Sequence, residues 1–203
     1  HQRLRPLARD PRTRQAFDGD LPGPRIQAVR LELEVERQTS HWFAPAPGNH
    51  GLRADACPIT MLERTDGLML YTLPDVGHGV KAGLHHSGSI VDTDAVDRTV
   101  SMAEDLRMRA LLEEWMPGST YRDLGAAVCL YTNTPDRHFG IGRHPAHPEI
   151  TLVTACSGHG FKFGPALAEV IADVSLENIE VDALFDIARL ISPAAARHAR
   201  SVP

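Results

Sequence analysis

The chain has 203 residues, of which 42% are hydrophobic, with a formal net charge of −5 and a pI near 6.1. That is enough apolar chain for one good core with appendages or for two small cores. The acidic balance excludes a nucleic-acid binder that relies on a basic face, and leaves a small molecule as the expected partner.

No apolar run approaches the roughly 18 residues of a membrane span, and the first 30 residues lack the apolar centre of a signal peptide. A soluble, cytoplasmic protein without a membrane partner is expected. The three cysteines, Cys57, Cys129 and Cys156, are odd in number and have no CxxC spacing. Neither a disulfide framework nor a thiolate zinc site is indicated, which fits a reducing compartment. Of the 21 basic residues only Lys81 and Lys162 are lysines. A compact ammonium with a tunable pKa is something arginine cannot supply, so these two positions merit separate treatment. The chain begins at His1 rather than Met, as expected of a processed chain or a fragment.

Residues 1–29 are rich in Arg and Pro with no period, and read as a poorly ordered or alien leader. From Arg30, Leu31, Leu33 and Val35 alternate with charged residues, the pattern of a strand with one buried face. Cys57 to Glu63 and Leu68 to Leu73 read as strands joined by Arg64-Thr65-Asp66-Gly67, a hairpin signal. Residues 79–85 form another strand, on which Lys81, Gly83 and His85 share one face and Val80, Ala82 and Leu84 the other. Lys81 and His85 form either a surface pair or two basic groups lining a cavity whose floor Gly83 leaves open.

Ser101 to Glu104 is a capping box, and Met108, Leu111, Leu112 and Trp115 give an amphipathic helix that stops at Pro117-Gly118, its Arg and Glu residues forming a solvated face. Ala126 to Thr132 is a strand with Cys129 and Tyr131 on one face; Cys129 on this ground is packing or a reactive thiol. Phe139 to Arg143 is a short strand before a Pro-rich turn. Ile150 to Ala155 leads through Gly158, His159, Gly160 and Lys162 into a helix with Leu167, Val170, Ile171 and Val174 on one face. That segment is either a tight turn with a solvated lysine or an anion cradle built from bare glycines, helix-start N–H groups and one ammonium. Asp182 is placed to cap a short helix over about 183–190, and the last ten residues read as a frayed tail.

Gly77-His78-Gly79-Val80-Lys81-Ala82 fits the dinucleotide pattern G-x-G-x-x-A but leads into a strand where the nucleotide fold needs a helix. His138, His144 and His147 lack helical ligand spacing, so no metal is assigned. No G-x-S-x-G elbow occurs.

The run Ala127 to Phe139, then His147-Pro148-Glu149-Ile150, then Ser157 to Phe163 resembles the C-terminal half of the monomeric sarcosine oxidase and N-methyltryptophan oxidase family. The resemblance extends through Trp115 to Gly118, Lys81 to His85 and Arg37-Gln38, over about residues 29–192. Members of that family oxidise secondary amino acids with FAD, passing a hydride to the flavin and then reducing O2 to hydrogen peroxide.

The resemblance implies that Cys129 bonds covalently to the flavin, that Lys162 pairs with the substrate carboxylate, and that Lys81, with His85, serves catalysis on the opposite flavin face, where O2 reacts. Met61 and Tyr131 would line the substrate cavity, and Thr132, Gly158, His159, Gly160 and Lys162 would hold the cofactor. Where family members place an aromatic hydroxyl over the substrate, Leu70 or Tyr71 stands here, according to a one-residue register.

The implied fold is α+β, a mixed, largely antiparallel sheet with backing helices: the substrate domain of a glutathione-reductase-like FAD oxidoreductase without its nucleotide-binding half. The expected sheet comprises about 58–86 and 29–43, with 126–174 packing against the missing half and the apolar face of 167–174 left exposed. The expected layout is a leader over 1–29, a substrate-binding domain over 30–125, the C-terminal portion of an FAD-binding domain over 126–192 and a tail over 193–203. No G-x-G-x-x-G turn exists to hold the ADP part of FAD, so a complementing nucleotide-binding chain is an expected partner beside the amino-acid substrate and O2. A shifted reading frame or gene break upstream of Arg30 is the expected origin of the leader. A reading from another class is an inactive remnant, or a module that holds a small carboxylate on Lys81, His85 and Lys162.

Overall fold

The computed structural model describes residues 29–177 and 179–191. The expectations for the leader and the tail fall outside those residues. The main sheet comprises β1 (Glu34–Ala44), β2 (Thr60–Glu63), β3 (Met69–Leu73), β4 (Val80–His85), the short β5 (Ser89–Ile90) and β6 (Arg122–Asn133). Every strand pair in it is antiparallel, in the order β2-β3-β4-β1-β5, with β6 also paired to β1. Helix α1 (Met102–Trp115) lies against β1 and β4. A second, two-stranded sheet of β7 (Gly140–His144) and β8 (His147–Thr154) carries helix α2 (Gly164–Leu176) and a 3-10 turn at Ile187–Leu190.

The hairpin expected at Asp66-Gly67 forms β2 and β3, with Glu63 opposite Met69 and Gly67 in the left-handed region at φ 82°. The capping box is complete: the Ser101 hydroxyl accepts from the Glu104 N–H, and the Glu104 carboxylate accepts from the Ser101 N–H. Gly77 and Gly79 donate to the Asp75 carboxylate and then enter β4, so the G-x-G-x-x-A pattern is a strand-entry turn. The main core is Phe43, Leu70, Ala82, Leu84, Met108, Leu111 and Leu112, shared by the sheet and α1.

The structure corrects the sequence reading at several points. The strand beginning at Arg30 was expected to bury Leu31, Leu33 and Val35. Leu33 is instead 37% exposed, and Glu36, Gln38 and Ser40 are buried. α1 meets β1 through Arg37, His41 and Phe43, and of the earlier apolar positions Leu31 and Val35 are half-buried while Leu33 is exposed. The charged residues of α1 are engaged: Glu104 with Arg37, Asp105 with His41 and Arg109, and Glu113 with the N–H groups of Gly118 and Thr120. β6, which the expected sheet did not include, pairs with β1 along its length.

The Pro-rich turn shrinks to Pro145-Ala146, where the His144 ring accepts from the N–H groups of Ala146 and His147, and β8 begins at His147. The apolar face of α2 is largely covered: Val174 is buried, Leu167 and Ile171 are half-buried, and Val170 alone of the four is exposed. The cap of the last short helix is Asp186, which accepts from the Ala188 N–H, and not Asp182.

Arg37 joins three segments. Its guanidinium donates to the carbonyls of Asp97 and Thr99 and to Glu104, 2.6 Å away. Burial would raise the Glu104 carboxyl, but hydrogen bonds from Arg37 and Ser101 outweigh it and hold the group at about 2 rather than 4.5. Because the folded-state value is depressed, this stabilisation is full above pH 4.5 and is lost as the pH falls towards 2. Glu104→Gln is expected to cost about 1 kcal/mol at pH 7, allowing for partial solvent screening. The deficit relative to the unaltered chain should vanish near pH 2, as read from urea unfolding at the two pH values.

Candidate active site

Adjacent antiparallel strands turn alternate side chains to one face. On the face of the main sheet away from α1, this aligns Met61 of β2, Tyr71 of β3, Lys81 and His85 of β4, Ser40 and Trp42 of β1, and Cys129 and Tyr131 of β6. Together with the segment Ala155 to Lys162 they line a cleft of about 700 Å3. Both lysines of the chain open onto it, although they are 81 positions apart. Register pairs Trp42 with Lys81, and the Lys81 ammonium lies 5.2 Å from the Trp42 ring. The Lys162 ammonium lies 5.3 Å from the Phe163 ring. Aromatic faces attract these cations without neutralising them. Among the described residues, no Asp or Glu lines the cleft.

Two glycines exist to admit aromatic rings. A Cβ on Gly83 would lie 2.4 Å from the Tyr71 hydroxyl, so the bare strand position lets Tyr71 lie across the sheet, where it hydrogen-bonds Ser40 at 3.0 Å. A Cβ on Gly158, whose φ is +74°, would lie 2.5 Å from the Tyr131 ring. The loop 155–160 closes on itself, the Cys156 carbonyl accepting from the N–H groups of His159 and Gly160. Ser157 at φ 43° and Arg137 at φ 60° hold the left-handed conformation beside it. Ser157 is braced through its N–H to the Thr132 carbonyl and through its hydroxyl to Thr134.

The side chains also settle their protonation. Burial, joined by the nearby charges of His86, His159, Arg137 and Lys162, lowers His85 to about 4 from 6.5, so it is neutral at physiological pH. Burial likewise raises the Tyr131 and Tyr71 phenols above their ordinary value. Tyr131 therefore keeps its proton, and its hydroxyl makes a long 3.4 Å contact with His85 Nδ1. His159 places Nε2 3.0 Å from the Arg137 carbonyl. The carbonyl can only accept, so Nε2–H is the donor, and Nδ1 is buried without a hydrogen-bond partner among the described residues.

Of the residues singled out from the sequence, Met61, Lys81, His85, Cys129, Tyr131, Gly158, His159, Gly160 and Lys162 all line this one cleft. Thr132 does not: it faces away from Cys129 and Tyr131 on β6 and meets the 155–160 loop through its carbonyl. Leu70 is buried in the core, so Tyr71 is the aromatic hydroxyl that the cleft receives. Trp42, Ser40 and Cys156 line the cleft without having been singled out. The signal for Trp42 and Ser40 was their shared parity on β1, which becomes visible only once the pairing with Lys81 and Gly83 is known.

Gly158→Ala combines a strained φ with a ring collision, and is expected to destabilise the chain by about 2–3 kcal/mol. Gly164→Ala, in open space at the start of α2, should be neutral or gain up to ~1 kcal/mol. Denaturant midpoints of the two variants measure the contrast.

Comparison with known proteins bears on what such a cleft belongs to. The family model described as FAD dependent oxidoreductase (DAO) matches residues 11–174, so part of the leader read above as alien falls inside the match. The chain is 36% identical over 166 residues to a monomeric sarcosine oxidase of Streptomyces avermitilis, covering 79% of this chain and 43% of that protein. It is 31% identical over 159 residues to an N-methyl-L-tryptophan oxidase of Salmonella arizonae, with 76% and 42% covered. The chain thus spans less than half the length of these relatives. Among solved structures, L-proline dehydrogenase from P. horikoshii superposes with a TM-score of 0.63 at 19% identity, covering 79% of this chain and 41% of that one. Fructosamine oxidase (Amadoriase II) from Aspergillus fumigatus gives 0.59 at 23%, covering 83% and 42%. These likenesses establish the α+β architecture as part of a flavoenzyme fold. The chain belongs to the DAO family of FAD-dependent oxidoreductases.

Proposed function

We propose that this chain is the substrate-side portion of an FAD-dependent oxidase of small secondary amino acids, such as N-methyl amino acids, and that it acts with a nucleotide-binding portion supplied by further chain or by a partner. The observation that carries this reading is the convergence of Lys81, Lys162 and the free thiol of Cys129 on one cleft. In this reading residues 30–125 serve substrate binding and 126–192 complete the flavin-binding domain.

The residues present suit the flavin end of FAD. The cleft volume is that of a cofactor or ligand site, its lining mixes aromatic and aliphatic side chains with both lysines and two histidines, and His159 Nδ1 is a buried ring nitrogen with no partner among the described residues. The ADP end has no such holder, because no G-x-G-x-x-G turn occurs in the sequence. Cys129 would hold the flavin covalently, and Gly158 and Gly160 let backbone approach it closely. When bound, FAD supplies the acceptor for a hydride from the carbon next to the substrate nitrogen and is reoxidised by O2.

The chain's own groups do the remainder. Lys162 pairs with the substrate carboxylate and orients the amine. Lys81, held against Trp42, supplies a positive charge where O2 gains negative charge. Tyr71 and Tyr131 wall the substrate, with the exposed Met61 at the rim. His85 is a neutral imidazole facing the same space at physiological pH.

Two experiments test this reading. Co-expressed with a dinucleotide-binding half from a sarcosine oxidase, the chain should carry a flavin absorbance that stays with the polypeptide after acid denaturation, and Cys129→Ala should release the colour on denaturation. Colour that persists through that substitution rejects the linkage, and no flavin uptake at all leaves the carboxylate-binding module as the reading. In the reconstituted oxidase, Lys162→Met should raise KM for N-methyl amino acids by about 100-fold or more, as expected for loss of a charge-assisted contact. An unchanged KM sinks the assignment of Lys162 to the carboxylate.

A further inference from the structure

Behind the cleft lies a buried carboxylate that the reading above does not use. Glu36, on β1, is 5% exposed. Its Oε1 accepts from Gln38 Nε2 at 2.7 Å and from the Gly88 N–H at 2.9 Å. Its Oε2 accepts from Asn133 Nδ2 at 2.9 Å and from His86 Nδ1 at 3.1 Å. Burial would raise this carboxyl, but those donors outweigh it and hold it below its ordinary range, so it is ionised. Four donors saturate both oxygens and tie β1, the β4–β5 turn and the end of β6 to one point.

His86 is the donor that matters to the cleft. It follows His85 directly, holds the left-handed conformation at φ 51°, and its side chain is 9% exposed. An imidazole adopts that conformation only where the surroundings compensate it, and the Glu36 contact does so. Fixed in this way, the His86 ring stands edge-on to His85 with centroids 4.2 Å apart and edge-on to Tyr131 at 5.4 Å. The His85 and Tyr131 rings themselves meet at 5.5 Å. The three rings form a closed triangle, with two corners in the cleft and the third held by Glu36.

We propose that Glu36 is a positioning residue for the cleft, acting through His86 to fix the His85–Tyr131 pair and to keep water from the buried side of His85. The inference rests on reading the cleft as the functional site, but it concerns only groups of this chain. The groups that face His85 are His86, Tyr131, His159, Arg137 and Lys162; Glu36 does not touch it. Freeing the His86 ring therefore hydrates His85 and weakens the repulsion from His86, and both effects ease its protonation.

The test is a pH titration of the full chain with isotope-labelled histidine, following the His85 imidazole by NMR and assigning it with His85→Asn. Neither flavin nor substrate is present, so the result does not depend on whether the chain proves to be an oxidase. In Glu36→Gln the carboxamide turns an N–H2 towards two donors and releases His86. In His86→Asn the left-handed residue and a donor to Glu36 are both retained, because asparagine tolerates that conformation, while the ring is removed.

Both variants should move the His85 midpoint up from near 4 by about one pH unit or more towards 6.5. A role confined to bracing the turn would lower the stability of Glu36→Gln and leave the His86→Asn midpoint near 4, which overturns the proposal. An unmoved midpoint in both variants overturns it as well. Should Glu36→Gln fail to fold, His86→Asn alone decides.

Discussion

The pairing of β1 with its two long neighbours sets the rest of the molecule. β1 lies between β4 and β6, matched to β6 from Glu34–Asn133 to Ala44–Arg122 and to β4 from Ser40–Gly83 to Phe43–Val80. Residues of one parity, Arg37, His41 and Phe43, meet α1, and those of the other, Glu36, Gln38, Ser40 and Trp42, face the cleft or the layer beneath it. This register sets Trp42 beside Lys81 and Gln38 beside Cys129. A slip of one residue would carry the whole cleft set to the helix side. The irregularity between Trp42 and Phe43 falls past the cleft residues of β6, so Ala127, Cys129 and Tyr131 stay in regular alternation.

The sheet supplies the positions, and the loops beside it hold the strain. Among the described residues, the three non-glycine left-handed residues, His86, Arg137 and Ser157, all adjoin the cleft. Each is tied down: His86 to Glu36, Ser157 to Thr132 and Thr134, while the Arg137 carbonyl accepts from His159. The neighbouring Asp136 is gripped by Arg189, and those hydrogen bonds hold its carboxyl well below the usual range. Strain costing about 1–3 kcal/mol per residue is retained where surrounding contacts over-determine the backbone. Here it shapes the rims from which His85, His159 and Gly158 meet the cleft.

Elements with a local signature were legible in the sequence. The Asp66-Gly67 hairpin, the Ser101–Glu104 box and the alternation of Val80 to His85 each follow from short-range geometry. The strand at 30–36 was misread because alternation reveals that one face differs from the other, not which face finds cover. Leu33 has no helix over it, whereas Glu36 has four donors around it. α2 likewise looked unpartnered because its cover comes from β7 and β8, a hairpin whose pairing across Pro145-Ala146 the Pro-rich composition concealed. Of the cleft, the residues carried by motifs were found in the chain; Trp42 and Ser40, carried by register, were not, nor was Cys156 in the loop after β8. Thr132, by strand parity on the face opposite Tyr131, meets the 155–160 loop through its carbonyl rather than through its side chain.

The charge distribution around the cleft follows the same layering. Glu36 lies one layer below, and its carboxylate is consumed by four hydrogen-bond donors, so its charge is spent on neighbouring dipoles and on His86. His85 and both tyrosines are neutral, since burial opposes charge on each. The positive charge on the cleft lining therefore resides on Lys81 and Lys162, at the ends of flexible stems and against aromatic faces that attract a cation without quenching it. An arginine in either place would bring a planar, permanently charged fork suited to bidentate pairing. A chain that uses arginine at every other basic position has both of its compact ammonium groups on the lining of this one cleft.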